Sequence, residues 1–367
     1  MKTKQAVVLM NLGGPTSEAS VRPFLYNLLS DNDILRFGGG FRQKAFATVV
    51  SAIRSRKVMG RYQAINACPR GCTGPATCPN RQTGAVSTCC SPINPLTEGQ
   101  RAALATWLAT HSPTGEAPLV LTAMRYWHPT TESALRALVA AEVEDVVFVP
   151  LYPQFSFTTS GSSFRFWQKE KQRLGLRPRW RETFIKTYAT EPLYIRALAA
   201  RVREALERFA PADRNQVHLL FSAHGTPLSD VERGDPYTHE VEATVRATVA
   251  ALQAEGWQGS HWLSYQSRVG LAKWTQPATT TLAQDLMEYG IRKLLVVPVA
   301  FVSDHIETLM ELNIELREEL QPYGVEQLEV SAGLNDHPLF IESLGRQVLR
   351  VLGPPQAEPL PEPAAVS

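Results

Sequence analysis

At 367 residues the chain is long enough for two domains of ordinary size, each with its own core. Its 44% hydrophobic and 20% charged residues suit a soluble globular protein, and a formal charge of +2 gives no reason to expect nucleic acid, which usually demands a clustered basic surface. The longest apolar run, "LLVVPVAFV" at 294–302, is half the length that a membrane-spanning helix requires. The N-terminus, "MKTKQAVVLMNLGG", lacks a small-residue cleavage site and runs directly into a core-like strand. It is expected to be mature sequence rather than a signal peptide, and the protein is expected in the cytoplasm.

The first predicted strand is "AVVLMNLGG" (6–14). Residues 41–58, "FRQKAFATVVSAIRSRKV", then set Phe41, Phe46, Val49, Val50 and Ile53 against Arg42, Lys44, Arg54, Arg56 and Lys57. That pattern suits either core packing of the apolar stripe or a helix lying on a membrane surface. All five cysteines follow within 67–90, as C-x3-C-x5-C-x10-C-C with no histidine between. An odd thiol count in a cytosolic chain argues for metal rather than disulfides. An all-thiolate set takes a soft or borderline metal, and the spacing leaves an iron–sulfur cluster and a structural zinc both open. No C-x2-C pair of the usual zinc-knuckle kind occurs.

Beyond the cysteines, helical patterns at 98–110 and 131–142 bracket a strand at 118–127, and another strand covers 145–156. Helices at 192–208, 239–255, 278–290, 304–320 and 338–351 then alternate with strands at 217–225, 261–270 and 293–304. In both halves the first strand ends in Gly and the second in an Arg-bearing turn (Arg125, Arg268). The third in both ends in Val-Pro followed by an aromatic, Tyr152 or Phe301. The repeat predicts a duplicated βαβ module: an α/β fold of two similar, doubly wound Rossmann-like domains whose parallel sheets face a central cleft. The expected boundaries are 1–165, with the Cys-rich insert 67–90, then 166–352. A tail at 353–367 with five prolines is expected to be disordered.

Ligands of such folds bind outside the carboxyl ends of the strands, which singles out Asn11, Gly13, Arg125, Tyr126, Tyr152 to Ser163, His224, Arg268 and Phe301 to Glu307. His224 ends an apolar strand and is either a base or metal ligand, or a histidine satisfied by a backbone carbonyl. Asp304 with Glu307 reads as a D-x-x-E capping box. Glu307, Glu311 and Glu315 recur every four residues, as a solvated face or as an acidic path for a divalent cation. "TTSGSS" (158–163) is either an anion cradle or a self-satisfied turn. "NLGGP" is not a dinucleotide fingerprint, and no P-loop occurs.

Seven segments in order, "LMNLGGPTSEASVRPFLYNLLSD", "MRYWHP", "LYPQFSFTTSGSS", "LLFSAHGTPLSDVERGDPY", "YQSRVGLAKW", "FVSDHIETLMELNIE" and "LNDHPLF", resemble the ferrochelatases, lyases that insert ferrous iron into a porphyrin during haem biosynthesis. The resemblance covers nearly the whole chain. It implies His224 as the active-site histidine, Glu307 as its partner, and Glu311 and Glu315 as an iron or proton path. It also implies Tyr62, Tyr126, Trp274 and Phe301 as aromatic walls, and Arg125 with Ser160, Ser162 and Ser163 as holders of the propionates, with Asp304 beside the substrate. Fe2+ would be a substrate, with protoporphyrin IX favoured over coproporphyrin III by the S-D-H-I-E-T-L form. Some members carry a 2Fe–2S cluster, which here implies Cys68, Cys72, Cys78 and Cys90 as ligands, with Cys89 as a substitute for Cys90. Alternatives are another tetrapyrrole chelatase, or a non-catalytic porphyrin- or iron-binding protein with an iron–sulfur sensor. Peripheral membrane contact through 41–58 is a further expectation.

Overall fold

The computed structural model describes residues 4–34, 40–65, 91–112, 115–177, 180–267 and 272–352. The first sheet comprises β1 (Gln5–Asn11), β2 (Leu119–Met124), β3 (Asp145–Pro150) and β4 (Arg181–Phe184), all parallel, in the order β2-β1-β3-β4. The second repeats this order with β5 (His218–His224), β6 (His261–Gln266), β7 (Lys293–Pro298) and β8 (Gln327–Val330), as β6-β5-β7-β8. The expected duplication is therefore present as identical topology. β4 and β8 carry no apolar run, because each is a four-residue edge strand with a largely half-exposed surface. Period-two burial needs two packed faces to leave a continuous hydrophobic signature.

The helices are α1 (Val21–Leu29), α2 (Gly40–Ala64), α3 (Ile93–His111), α4 (Thr131–Ala140), α5 (Ser160–Arg173), α6 (Pro192–Leu206), α7 (Leu228–Glu232), α8 (Tyr237–Ala254), α9 (Thr279–Glu288), α10 (Leu316–Leu320) and α11 (Pro338–Leu352). A π-helix, Glu307–Glu315, runs into α10. Alternation along β1 splits the core. Val7 and Leu9 join a cluster with α6, α11 and strands of the second sheet. Ala6, Val8 and Met10 pack with Leu135, Leu138 and Trp167 beneath α4 and α5. In the second sheet, Leu220, Leu294 and Val296 pack against α9 and the helix that ends in α10.

The shared cluster corrects the expected boundary at 165. That position falls inside α5, β4 pairs with β3, and α11 packs on α3 and β3 as well as on α6. "TTSGSS" is also reassigned: Ser160, Ser162 and Ser163 form the first turn of α5 and are buried. The insert 67–90, with Cys68, Cys72, Cys78, Cys89 and Cys90, lies outside the described residues, as do Arg268 and the tail.

α1 and α2 pack together as a lip, through Val21, Phe24 and Leu25 against Met59 and Tyr62. The apolar stripe of α2 is not core. Phe41 is 86%, Val49 57% and Ile53 72% exposed, whereas the buried positions are Gln43, Ala47, Ser51, Met59 and Tyr62. Gln43 donates to the Leu29 carbonyl of α1 at 2.6 Å, while Phe41, Val49 and Ile53 are left outward.

Candidate active site

The carboxyl ends of both sheets open onto one cleft, as the doubly wound topology requires. Two adjoining chambers occupy it, an outer one of about 630 Å³ and an inner one of about 220 Å³. His224, His305 and Glu307 line both. The inner chamber is walled by Tyr152, Tyr237, Trp274 and Phe301, and the outer by Phe24, Tyr62, Arg54, Arg61, Glu311 and Glu315.

His224 closes β5. Its Nδ1 lies 2.6 Å from the Gly225 carbonyl, which can only accept, so Nδ1 carries a hydrogen and, in the neutral ring, Nε2 keeps its lone pair. The backbone carbonyl satisfies one nitrogen, as one of the two sequence readings expects, and in the neutral ring selects the tautomer that leaves the other without a hydrogen. Trp274 and Phe301 meet the ring edge-on, at centroid distances of 6.3 and 6.1 Å, and the Tyr237 hydroxyl donates to the His224 carbonyl at 2.9 Å. Burial raises the Tyr152 and Tyr237 phenols, so this wall stays neutral.

Glu307 makes no capping box with Asp304. Asp304 accepts from Gly333 N at 3.0 Å and Asn335 Nδ2 at 2.9 Å, which engages it in a loop; it lines neither chamber. Glu307 instead begins the π-helix and meets His305 Nε2 at 2.5 Å. His305 Nδ1 faces the Ser303 carbonyl at 3.1 Å and so donates to it, leaving one proton between Nε2 and the Glu307 carboxylate. Burial alone would raise the Glu307 carboxyl, but the charge and hydrogen bond of His305, with Arg61 and a protonated His224 beyond, overturn that and hold it down at about 2.

The acidic stripe exists, but it is not free. Arg61 of α2 grips Glu315 at 2.7 and 2.8 Å and reaches Glu311 at 3.3 Å, while Ser267 donates to Glu311 at 2.6 Å. Burial and the Glu307 charge push the Glu311 carboxyl up. Among the described residues no three His, Cys, Asp or Glu side chains come together as a metal cage.

Arg125 and Tyr126 line neither chamber. They face a separate cavity of about 660 Å³, where Asp31 accepts from Arg125 at 2.6 Å and from the Tyr126 hydroxyl at 2.5 Å, and Phe166 covers the guanidinium at 3.8 Å. Ser162 is 3.4 Å from Arg125 Nε, the one hydrogen bond between the expected propionate holders among the described residues, and Ser160 Oγ is buried without a hydrogen-bond partner among them. Thr158 and Thr159, just before the serines, are the hydroxyls that reach the inner chamber. Their loop is fixed from the second half: Asp235 accepts from Ser156 at 2.9 Å and Phe157 N at 2.8 Å, and Glu240 from Phe155 N at 2.7 Å. The structure thus brings together Tyr62, His224, Trp274, Phe301, Glu307, Glu311 and Glu315. His305, Arg61 and Ser267 had no predicted role. His305 was visible two residues from Glu307, whereas Arg61 and Ser267 gave no local signal.

The family model described as Ferrochelatase matches residues 4–352. Proteins named Ferrochelatase are similar across most of the chain. One from Cyanothece sp. is 40% identical over 354 residues, covering 95% of this chain and 83% of that one. One from Synechococcus sp. (strain JA-2-3B'a(2-13)) is 39% identical over 370 residues, covering 99% and 98%. Among solved structures, SirB from Bacillus subtilis with Fe3+ shares the fold with a TM-score of 0.51 at 13% identity, covering 96% of each chain.

A carboxylate whose folded value lies below its ordinary 4.5 stabilises the fold above that value and loses the contribution as pH falls towards about 2. Glu307→Gln should therefore flatten the loss of stability between pH 4.5 and pH 2. Urea unfolding of both proteins at pH 6, 4 and 2.5 checks it; parallel pH dependences would refute the ion pair.

Proposed function

The chain belongs to the ferrochelatase family, and from that premise we propose the residue roles, the porphyrin and the accessory features of its reaction. The enzyme inserts Fe2+ into a porphyrin to form haem. Metallation exchanges two pyrrole N–H protons for the metal, so it needs a base on the ring. His224 Nε2 is that base: it carries a lone pair, lines both chambers and has no hydrogen-bond partner among the described residues. This observation carries the reading. The Glu307 anion steadies the imidazolium that forms, and the proton shared with His305 gives a way out along the π-helix. Trp274, Phe301 and Tyr62 hold the macrocycle. A non-catalytic carrier would have no need of a base so oriented.

The polarity of the two chambers favours protoporphyrin IX. No Lys or Arg is among the described residues lining the inner chamber, whereas Arg54 and Arg61 line the outer one. Protoporphyrin carries both carboxylates on one edge and can turn its vinyl edge inward. Coproporphyrin III carries four, and would bring a carboxylate into a space without a cation. Arg54 thus replaces Arg125 as the cation at the propionate edge, since Arg61 is held by Glu311 and Glu315.

Three accessory features complete the proposal. The five thiols, with no histidine among them, suit a 2Fe–2S cluster ligated by Cys68, Cys72, Cys78 and Cys90, or Cys89 for Cys90. When bound it would supply a redox-responsive staple; metallation itself transfers no electrons. α2 carries six Lys and Arg and no Asp or Glu, and its exposed Phe41, Val49 and Ile53 suit an anionic lipid surface at the mouth of the cleft. The enzyme would then be cytoplasmic and peripheral on the membrane.

Anaerobic incubation with ferrous iron, followed by loss of free-base porphyrin fluorescence, tests the reading. Protoporphyrin IX should be metallated at least about tenfold more efficiently than coproporphyrin III, and His224→Ala should lower kcat by about a hundredfold or more. Porphyrin bound but never metallated by any divalent metal would leave a carrier. Cys78→Ser should bleach the visible absorption of the purified protein; a colourless parent with stoichiometric zinc would refute the cluster. Co-sedimentation with anionic vesicles should be strong at low salt and weaken as salt rises. Its absence at low salt would rule out the membrane contact.

A further inference from the structure

α3 presents a polar rail at intervals of three residues, and each member reaches a different strand end or loop of the cleft. Asn94 exchanges hydrogen bonds with the Gly14 backbone at 3.0 and 2.6 Å, and Thr97 accepts from Asn11 at 2.9 Å. Gln100, fully buried, crosses to the second half. Its Nε2 donates to the Asn335 carbonyl at 2.8 Å and to Ser303 Oγ at 3.1 Å, and Ser303 Oγ lies 3.3 Å from its Oε1. Gln100 lines neither chamber.

Ser303 is the residue whose carbonyl receives the His305 Nδ1 hydrogen, and the other nitrogen of that ring holds Glu307. Asn335 in turn accepts from Asp304 N at 3.0 Å, so Gln100 grips the loop between β7 and the π-helix from both sides. We propose that Gln100 is a positioning residue: through Ser303 it sets the rotation of His305, and so the hydrogen bond that aims the Glu307 carboxylate into the cleft. The first half of the chain thereby orients the acid of the second. The inference rests on the metallation reading above and adds to it a residue that touches no substrate.

A Gln that merely satisfied a buried carbonyl would affect stability alone, so the test separates the two. Gln100→Leu keeps the bulk and removes both ends of the bridge. At a temperature where it is folded, kcat for protoporphyrin metallation should fall about tenfold, with the porphyrin KM unchanged, since a misplaced acid costs rate rather than binding. In a Glu307→Gln background the same substitution should cost nothing further. Should Gln100→Leu fail to fold, Ser303→Ala carries the same readouts, because it leaves the Gln100–Asn335 bond in place. A loss in kcat that only tracks the folded fraction, or costs that multiply fully with Glu307→Gln, would overturn the positioning role. A wild-type protein that binds porphyrin but inserts no metal would instead overturn the metallation reading itself.

Discussion

A buried carboxylate stays ionised only if its surroundings replace the water it has lost, and the cleft is organised around that requirement at Glu307. His305 holds it at 2.5 Å, with Arg61 and, once it is protonated, His224 supplying further positive charge, and together they outweigh burial. Each partner arrives from a different part of the chain: His305 from the loop after β7, His224 from the end of β5, Arg61 from α2. The cleft can keep this charge only while the lip helix and both sheets stay in register. Glu311, one step along, shows the contrary case, since its neighbour is an anion and burial is less fully offset, so its carboxyl is pushed up. Proton affinity therefore rises along the π-helix from Glu307 to Glu311.

The two halves share a topology but have divided the work. β1 and β5 are both seven-residue strands, and they end in Asn11 and His224 respectively. Asn11 is buried and engaged by Thr97 and its own neighbouring backbone, a structural role. His224, at the equivalent position, keeps one nitrogen for its own backbone and one for the cleft. One of two similar strand ends thus opens a side chain to the cleft, while the other half supplies the lip, the loop of Thr158 and Thr159 and the α3 rail. The loop holding Thr158 and Thr159 is fixed by Asp235 and Glu240 of the second half, and the loop holding His305 by Gln100 of the first. Each half thus secures the other's wall.

The π-helix fits this arrangement. Four-residue spacing leaves the three glutamates offset in opposite directions in an α-helix and in its wider-turned relative, yet close to one line in both. Arg61 bridges the last two, which couples the lip to the acidic path. A rim of aromatic and aliphatic groups, a basic outer edge and a cation-poor interior then give the cleft a direction in which a flat, amphipathic ring can sit.

Sequence alone determined the period of the fold and the nature of its chemistry. Fully buried parallel strands must read as apolar runs, so six strands and the duplication were legible. His224 stood out because a polar group at the end of such a run faces a ligand edge, whereas Glu307 was marked as its partner by the resemblance of the seven segments and not by its own pattern. The short edge strands β4 and β8 were not legible, because half-exposed pairing leaves no hydrophobic signal. Only the tertiary structure decided which polar groups were free. Arg125 and Asp304 are committed to Asp31 and to the Gly333–Asn335 loop, and the serines of "TTSGSS" are turned into a helix. The partner of Glu307 is His305 rather than a capping contact, and the stripe of Glu311 and Glu315 belongs to Arg61, 250 residues away in the chain. Charge pairing at such separations depends on where the backbone brings two side chains, and local pattern carries no record of that.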